Sequence, residues 1–233
     1  EGIYASLNLG TNRGDNPDNV RENYRRFCAA IGTDPAKIVF SCQVHGDRVR
    51  VVTTADLGKG LERQVDYEAD ALMTDVPGAA LTVFSADCLP ILLYDPVRRA
   101  AAAVHAGWRG TCLGIVTRTV ERMADCYGSR PQDLLAAIGP GISKCCFETH
   151  EDVPNAMTEV LGANALQFIE VLPTGKFRVD LKGINAKRLE LAGVLLEHVA
   201  VCEDCTACLP DKYWSHRATH GERGSQAAMI ALV

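Results

Sequence analysis

The chain has 233 residues, 47% of them hydrophobic, with a formal net charge of −5, so it can bury a substantial core and offers no overall basic field to hold nucleic acid. No apolar run approaches the roughly 20 residues that span a bilayer, and no signal peptide is visible, although the sequence starts at Glu1 without Met. Ten cysteines in this length fall short of a disulfide scaffold, which points to a reducing, cytoplasmic compartment.

Residues 3–10 read as a short strand running into a turn. The segment 18–31 reads as a helix, capped near Asp18 or Asn19, with Val20, Tyr24, Phe27 and Ile31 spaced for one buried face. Residues 37–43 are strand-like and 47–54 alternate with period two. Strands follow over 70–74, 80–84, 89–94 and 99–106, the last short and alanine-rich but bounded by turns. A helix is expected over 111–127, with Ile115, Val116, Val120 and Met123 on one side. Residues 134–138 form a strand, 150–161 and 185–196 helices, and 177–181 and 227–233 strands.

No Pro/Gly/Ser-rich or highly charged stretch divides the chain, so one domain over residues 1–233 is expected. Strands dominate the middle and helices flank it singly, without regular βαβα alternation. The expected class is therefore α+β, with mixed or antiparallel sheets.

Three segments carry metal-competent side chains beside turns: Val44-His45-Gly46, Asp87-Cys88-Leu89-Pro90 and Val104-His105-Ala106-Gly107. Structural zinc usually takes four protein ligands, whereas catalytic zinc takes three and leaves a position for water or substrate. If His45, Cys88 and His105 converge, they form an open metal site. Glycine after each histidine permits a tight turn that leaves the side chain in a cleft; the plainer reading is a hydrogen-bonded loop histidine and a core cysteine. Cys28, Cys112 and Cys126 read as small buried hydrophobes. The run Cys202-x2-Cys205-x2-Cys208 offers three thiolates, with Cys145-Cys146 as a source of a fourth, for a closed structural site. The favoured reading there is unliganded thiols in a turn or a redox-labile pair.

Taken together, Asn8-Leu9-Gly10, Val44-His45-Gly46, Asp70-Ala71-Leu72, Ala86-Asp87-Cys88-Leu89-Pro90, His105-Ala106-Gly107-Trp108-Arg109-Gly110, Gly139-Pro140-Gly141-Ile142, Cys205-Thr206 and Ser215-His216-Arg217 occur in one order. In this the chain resembles the YfiH/laccase-domain-containing family, also called the polyphenol oxidase family, along nearly its whole length. The resemblance implies an α+β layered sandwich with mixed β-sheets flanked by helices. It implies zinc held by His45, Cys88 and His105, and a further strand ahead of the Ser6–Gly10 stretch. Gly141, Trp214 and His216 depart from the family pattern and bear on the pocket rim.

The activities implied are phosphorolysis of adenosine, inosine, guanosine and methylthioadenosine, deamination of adenosine, and peptidoglycan precursor editing. A copper-dependent laccase of the multicopper kind is not assembled from one chain. Blue copper alone takes two histidines and a cysteine, a trinuclear cluster needs many more imidazoles, and the chain has six histidines with no His-x-His pair. Copper could still occupy the zinc site and give weak oxidase activity. Deamination fits a metal-bound hydroxide, but the usual H-x-E shuttle is missing, so Asp87 is the first candidate for proton transfer, with a turn-capping role as the alternative. Phosphorolysis needs an anion site, for which Arg48 and Arg109 are candidates. Asn8 could contact substrate or only shape its turn, and Trp108 could stack on a base or sit in the core. A Cys88–His105 hydrolase, as in the catalytic domain of cytotoxic necrotizing factor, competes for the same thiolate. The expected function is thus a zinc-dependent purine nucleoside phosphorylase with adenosine deaminase activity. Its partners are a purine nucleoside and phosphate, with neither nucleic acid nor membrane.

Overall fold

The structure is a computed structural model that describes residues 2–233. In chain order the helix α1 (Pro17–Ile31) precedes the strands β1 (Ile38–Val39), β2 (Val49–Val51), β3 (Ala71–Thr74), β4 (Ala80–Ser85), β5 (Leu89–Asp95) and β6 (Ala100–Ala106). Helices α2 (Trp108–Leu113) and α3 (Ile115–Tyr127) lead to β7 (Leu135–Ile138) and β8 (Glu148–Thr149). Then come α4 (Asp152–Leu161), β9 (Ile169–Val171), β10 (Phe177–Val179), α5 (Leu181–Leu191), β11 (Val199–Val201), α6 (His216–Thr219) and β12 (Gln226–Ile230).

The strands make a six-stranded mixed sheet in the order β11-β7-β5-β6-β3-β2, a three-stranded sheet β1-β4-β12 and a three-stranded sheet β8-β10-β9. Period-two alternation distributes the residues of the large sheet between two faces. Ala71, Met73, Ala102 and Val104 pack with Ile115, Val120, Met123, Ile184 and Leu189 of α3 and α5. Leu72 and Ala103 face the other way, onto Val39, Leu81 and Val83 of the smaller sheet. The outer face of that smaller sheet is closed by Val20, Tyr24 and Cys28 of α1, which pack with Leu9, Ile38, Phe40 and Ala80. The layers therefore run helix, sheet, sheet, helices. Every residue of β6 is buried, because this strand is covered on both faces; its alanines let the two neighbouring layers approach closely.

Several elements differ from the sequence-based expectation, each for a local reason. Residues 3–10 form no strand: a short 3-10 turn at Gly2–Tyr4 leads into a turn built around the buried Asn8. Helix α1 is capped by Asn16, whose side chain accepts the Asp18 amide, with Pro17 in the first turn; proline there needs no backbone N–H. The expected helix over 111–127 starts earlier and breaks at Gly114, which has φ 82° and ends α2, a left-handed conformation open to glycine at little cost. The helix expected at 185–196 begins at Leu181, where Asp180 caps it through the Gly183 amide, and stops at Leu191. Residues 37–43 and 47–54 contribute only the short β1 and β2. Among the described residues no helix is long and apolar enough to cross a membrane.

Candidate metal centre

The six-stranded sheet and the β1-β4-β12 sheet meet where the chain passes between them. The loop after β1 carries His45 from the small sheet toward β2 in the large one, and the turn after β4 carries Cys88 into β5 by the same change of sheet. His105 lies near the end of β6, in register with Pro90 at the start of β5. Two crossovers and one strand end thus bring three remote residues to a single seam. The imidazole nitrogens and the thiol sulfur of His45, Cys88 and His105 all lie within 4.8 Å of one another. The His45 Nε2–Cys88 Sγ distance is 3.8 Å, and the two imidazole rings stand edge to face with centroids 4.8 Å apart.

Asp70 organises this arrangement. It is fully buried at the entrance to β3, and its carboxylate accepts the backbone N–H groups of Val44 (3.1 Å), His45 (2.9 Å) and Gly46 (2.8 Å). The same carboxylate accepts His105 Nδ1–H at 2.8 Å. A carboxylate offers only acceptors, so Nδ1 must carry the proton and Nε2 faces the cluster. That is the carboxylate–histidine–metal pattern, in which the outer partner fixes the ligand's tautomer. Burial pushes the Asp70 carboxyl up, but His105 and the Gly46 and Val44 amides outweigh it and leave it below its usual value. In the sequence Asp70 stands within a family motif with no role of its own; its available signal is an acid immediately before a buried apolar strand.

Burial likewise pushes the Cys88 thiol up, yet His105 and His45 overcome burial and bring it down to about 6. For His105, burial disfavours the charged ring, while Asp70 and Cys88 raise it to about 9. The two imidazoles thus favour the thiolate form of Cys88, the form that ligates a metal or attacks an electrophile. Two imidazoles and a thiolate, with one imidazole oriented by a buried carboxylate, fit a zinc ion that keeps one open position.

Glycine acts here by its missing side chain. Gly107 has an ordinary φ of −73°, so the expected need for a strained turn does not apply to it. A Cβ there would lie 3.0 Å from His45 Cδ2 and 3.1 Å from Cys88 Sγ. The positive φ values fall instead on His45 (60°) and Asp87 (90°) themselves.

The cluster lies in the wall of a cavity of about 610 Å³, whose other walls include Arg13, Phe40, Gln43, Phe84 and Arg223. Arg223 donates to Gly224 O (2.9 Å) and Ser225 Oγ (3.0 Å), and its buried Nε has no hydrogen-bond partner among the described residues. Among the described residues that line the cavity there is no carboxylate.

The proposed substrate contacts are distributed differently from expectation. Arg48 lies over Glu68 and lines a separate cleft with Arg118 and Asp125. Arg109 stacks on the Trp108 ring, 4.3 Å from its centroid, and Trp108 itself packs on the core. Asn8 is fully buried, with Oδ1 accepting the Gly10 and Ser225 amides and Nδ2 donating to Asp15. None of the three lines the cavity. Asp87 spends one carboxylate oxygen on Thr206 Oγ1 and the other on the Arg217 amide, each at 2.6 Å, so it ties the C-terminal loops to the turn that presents Cys88. The cavity cations Arg13 and Arg223 were missed, since neither neighbours a ligand in the sequence. A second cluster joins Cys145 and Cys146 to Cys205 and Cys208, with Cys202 outside it.

A family model described as multi-copper polyphenol oxidoreductase laccase matches residues 1–233. The purine nucleoside phosphorylase of Deinococcus radiodurans is 38% identical, covering 99% of this chain and 84% of its own length. Purine nucleoside phosphorylase YfiH of Shigella flexneri is 36% identical, covering 99% and 88%. The crystal structure of the hypothetical protein YfiH of Bacillus licheniformis superposes with a TM-score of 0.96 at 33% identity, over 100% of this chain and 88% of that one. YlmD of Geobacillus stearothermophilus gives 0.95 at 33% identity, over 100% and 87%. With motifs, layered fold and full-length similarity in agreement, the chain belongs to the YfiH/laccase-domain family.

Proposed function

We propose that the chain is a zinc-dependent purine nucleoside phosphorylase. The observation that supports this reading best is the meeting, in one cavity, of the His45–Cys88–His105 donor set with two guanidinium groups and two aromatic rings. The cavity's 610 Å³ lies within the range of small-molecule sites, about 300–1,000 Å³. Phe40 and Phe84, in edge-to-face contact at 4.8 Å, offer apolar surface to a purine. Arg13 and Arg223 offer permanent charge to phosphate, for which a planar guanidinium is suited. Adenosine, inosine, guanosine and methylthioadenosine are the candidate nucleosides.

Phosphorolysis joins a phosphate oxygen to ribose C1′ and breaks the bond from C1′ to the purine, which leaves with the electron pair and takes up a proton. Phosphate arrives as an anion and needs no general base, which matches the lack of a carboxylate among the described residues that line the cavity. A divalent ion on His45, Cys88 and His105 would supply Lewis acidity and acidify bound water. Asp70 keeps both histidines in place, and Arg223 and Arg13 orient the nucleophile. Adenosine deamination is the second reading. It rests on the same donor set but calls for a proton shuttle, and Asp87, with both oxygens engaged, is poorly placed for that role.

Incubation of metal-analysed protein with adenosine, with and without phosphate, separates these readings by product mass. Phosphorolysis gives adenine and ribose phosphate only when phosphate is present; inosine in both arms would replace it with deamination. Activity on a muropeptide precursor that survives chelation would favour a free Cys88 thiolate acting as a hydrolase nucleophile. Phenol oxidation that tracks copper loading would mark the laccase reading. Ten unpaired thiols and a nucleoside substrate fit a cytoplasmic location.

A further inference from the structure

The second sulfur cluster lies outside the cavity and is built by two loops. Cys145 and Cys146 lie in the turn between β7 and β8, and Cys205 and Cys208 in the turns that follow β11. Each loop contributes two sulfurs. Cys208 Sγ is 3.6 Å from Cys145 Sγ and 3.3 Å from Cys146 Sγ, and the adjacent pair is 3.9 Å apart. All four sulfurs lie within 4.8 Å of one another. Zinc–thiolate bonds of about 2.3 Å place the corners of a tetrahedron ~3.8 Å apart, close to these separations. We propose that Cys145, Cys146, Cys205 and Cys208 hold a second zinc ion, in a closed structural site independent of the one in the cavity.

The surroundings suit a thiolate cage. Cys205 is the buried member, and its sulfur accepts the Ser143 amide at 3.3 Å. Four thiolates around one divalent ion leave an excess negative charge. The ammonium of Lys182 lies between the same two loops, bonded to Ser143 Oγ (2.9 Å), Cys202 O (2.7 Å) and Asp204 O (2.7 Å). The shortest of these contacts, Cys146 Sγ–Cys208 Sγ at 3.3 Å, is well beyond the ~2.05 Å of a disulfide bond. Tetrahedral sulfur sites take zinc or iron, and zinc is the ion that fits without redox chemistry.

The clip also explains how the site's wall is braced. Thr206, next to Cys205, donates to Asp87, and the Ile142 amide donates to Asp87 O at 2.8 Å. Gly141 lies flat against this turn: a Cβ on it would be 2.9 Å from Asp87 O and 3.1 Å from Cys88 O. Joining the two loops therefore secures the turn from which Cys88 projects. Metal bound to the folded state alone stabilises that state by mass action.

The test counts zinc per chain by mass spectrometry, on full-length protein equilibrated with zinc under reducing conditions and then dialysed. Wild type is expected to retain two ions, Cys208→Ser one, His45→Ala one and the double variant none, while Cys202→Ser keeps both. Cobalt loaded into His45→Ala should give the intense charge-transfer absorption of a tetrathiolate, and adding Cys208→Ser should abolish it. This second readout keeps the proposal testable if the Cys208 variant folds poorly. A single ion lost with Cys208→Ser but kept in His45→Ala would retain this site and remove the cavity one. A zinc count unchanged by Cys208→Ser would overturn the proposal, as would iron in place of zinc, or a denatured mass two hydrogens lighter from a disulfide.

Discussion

Replacing Asp70 with asparagine tests the positioning of the site with almost no change in shape. In the native protein each carboxylate oxygen accepts two N–H groups: Oδ1 those of His45 and His105 Nδ1, Oδ2 those of Val44 and Gly46. An amide has one oxygen, so either flip state turns an NH2 toward two donors. Two hydrogen bonds to a charged acceptor are lost, at about 1.5–3 kcal/mol each, for a predicted loss of roughly 3–6 kcal/mol. That is a large part of the ~5–15 kcal/mol that holds a typical domain together. Loss of the partner that orients a ligating histidine typically weakens metal binding by about 10–100-fold. Urea unfolding and zinc competition with a chelator measure the two effects. A variant within about 1 kcal/mol of wild type and with unchanged zinc affinity would refute the role assigned to Asp70.

Other substitutions separate binding, packing and charge. Arg223→Ala should raise the phosphate KM by about 10–150-fold, the value of one charge-assisted contact of ~1.5–3 kcal/mol, with little change in the nucleoside KM; steady-state kinetics with each substrate varied would show the split, and an unchanged phosphate KM would remove Arg223 from the anion site. Gly107→Ala should weaken zinc binding by crowding His45 and Cys88 while leaving denaturant stability within about 1 kcal/mol, and equal zinc affinity in the two proteins would contradict it. Asp56 is buried, which pushes its carboxyl up, but the Thr53 amide, Lys59 and Arg50 outweigh burial and hold it below its usual value. A lowered folded-state value means that its stabilisation is present above the ordinary aspartate range and is lost as pH falls through the folded value. Asp56→Asn should therefore flatten the acid limb of the stability–pH curve, as followed by thermal unfolding; an unaltered acid limb would refute that role.

The convergence of His45, Cys88 and His105 was legible because each stands beside a turn at the end of a short apolar segment, and the family motifs run through the same residues. The central strands were legible too. Buried runs such as those in β4, β5 and β6 announce themselves by hydrophobicity and bounding turns. What stayed hidden depends on direction and distance. Arg48 and Arg109 sit next to ligands in sequence, yet their side chains leave the cavity, one toward Glu68 and one over Trp108. Arg223 reaches the cavity from the far end of the chain, and nothing local marks it. Residues 3–10 carry apolar side chains, but Asn8 satisfies neighbouring amides and takes the segment out of any sheet. The thiol cluster was half visible: of the run Cys202, Cys205 and Cys208 the last two join it, Cys202 stands aside, and Cys145 and Cys146 contribute two sulfurs where the sequence suggested one.

His45, Cys88 and His105 are expected to share one ion with a coordination position to spare. Zinc-edge X-ray absorption on the Cys208→Ser protein measures this directly, since that variant should retain only the cavity ion. The expected shell is one sulfur at about 2.3 Å and three lighter nitrogen or oxygen neighbours at about 2.0–2.1 Å, two of them imidazoles and the third exchangeable. A shell of sulfur alone, or protein that binds no zinc at all, would contradict it.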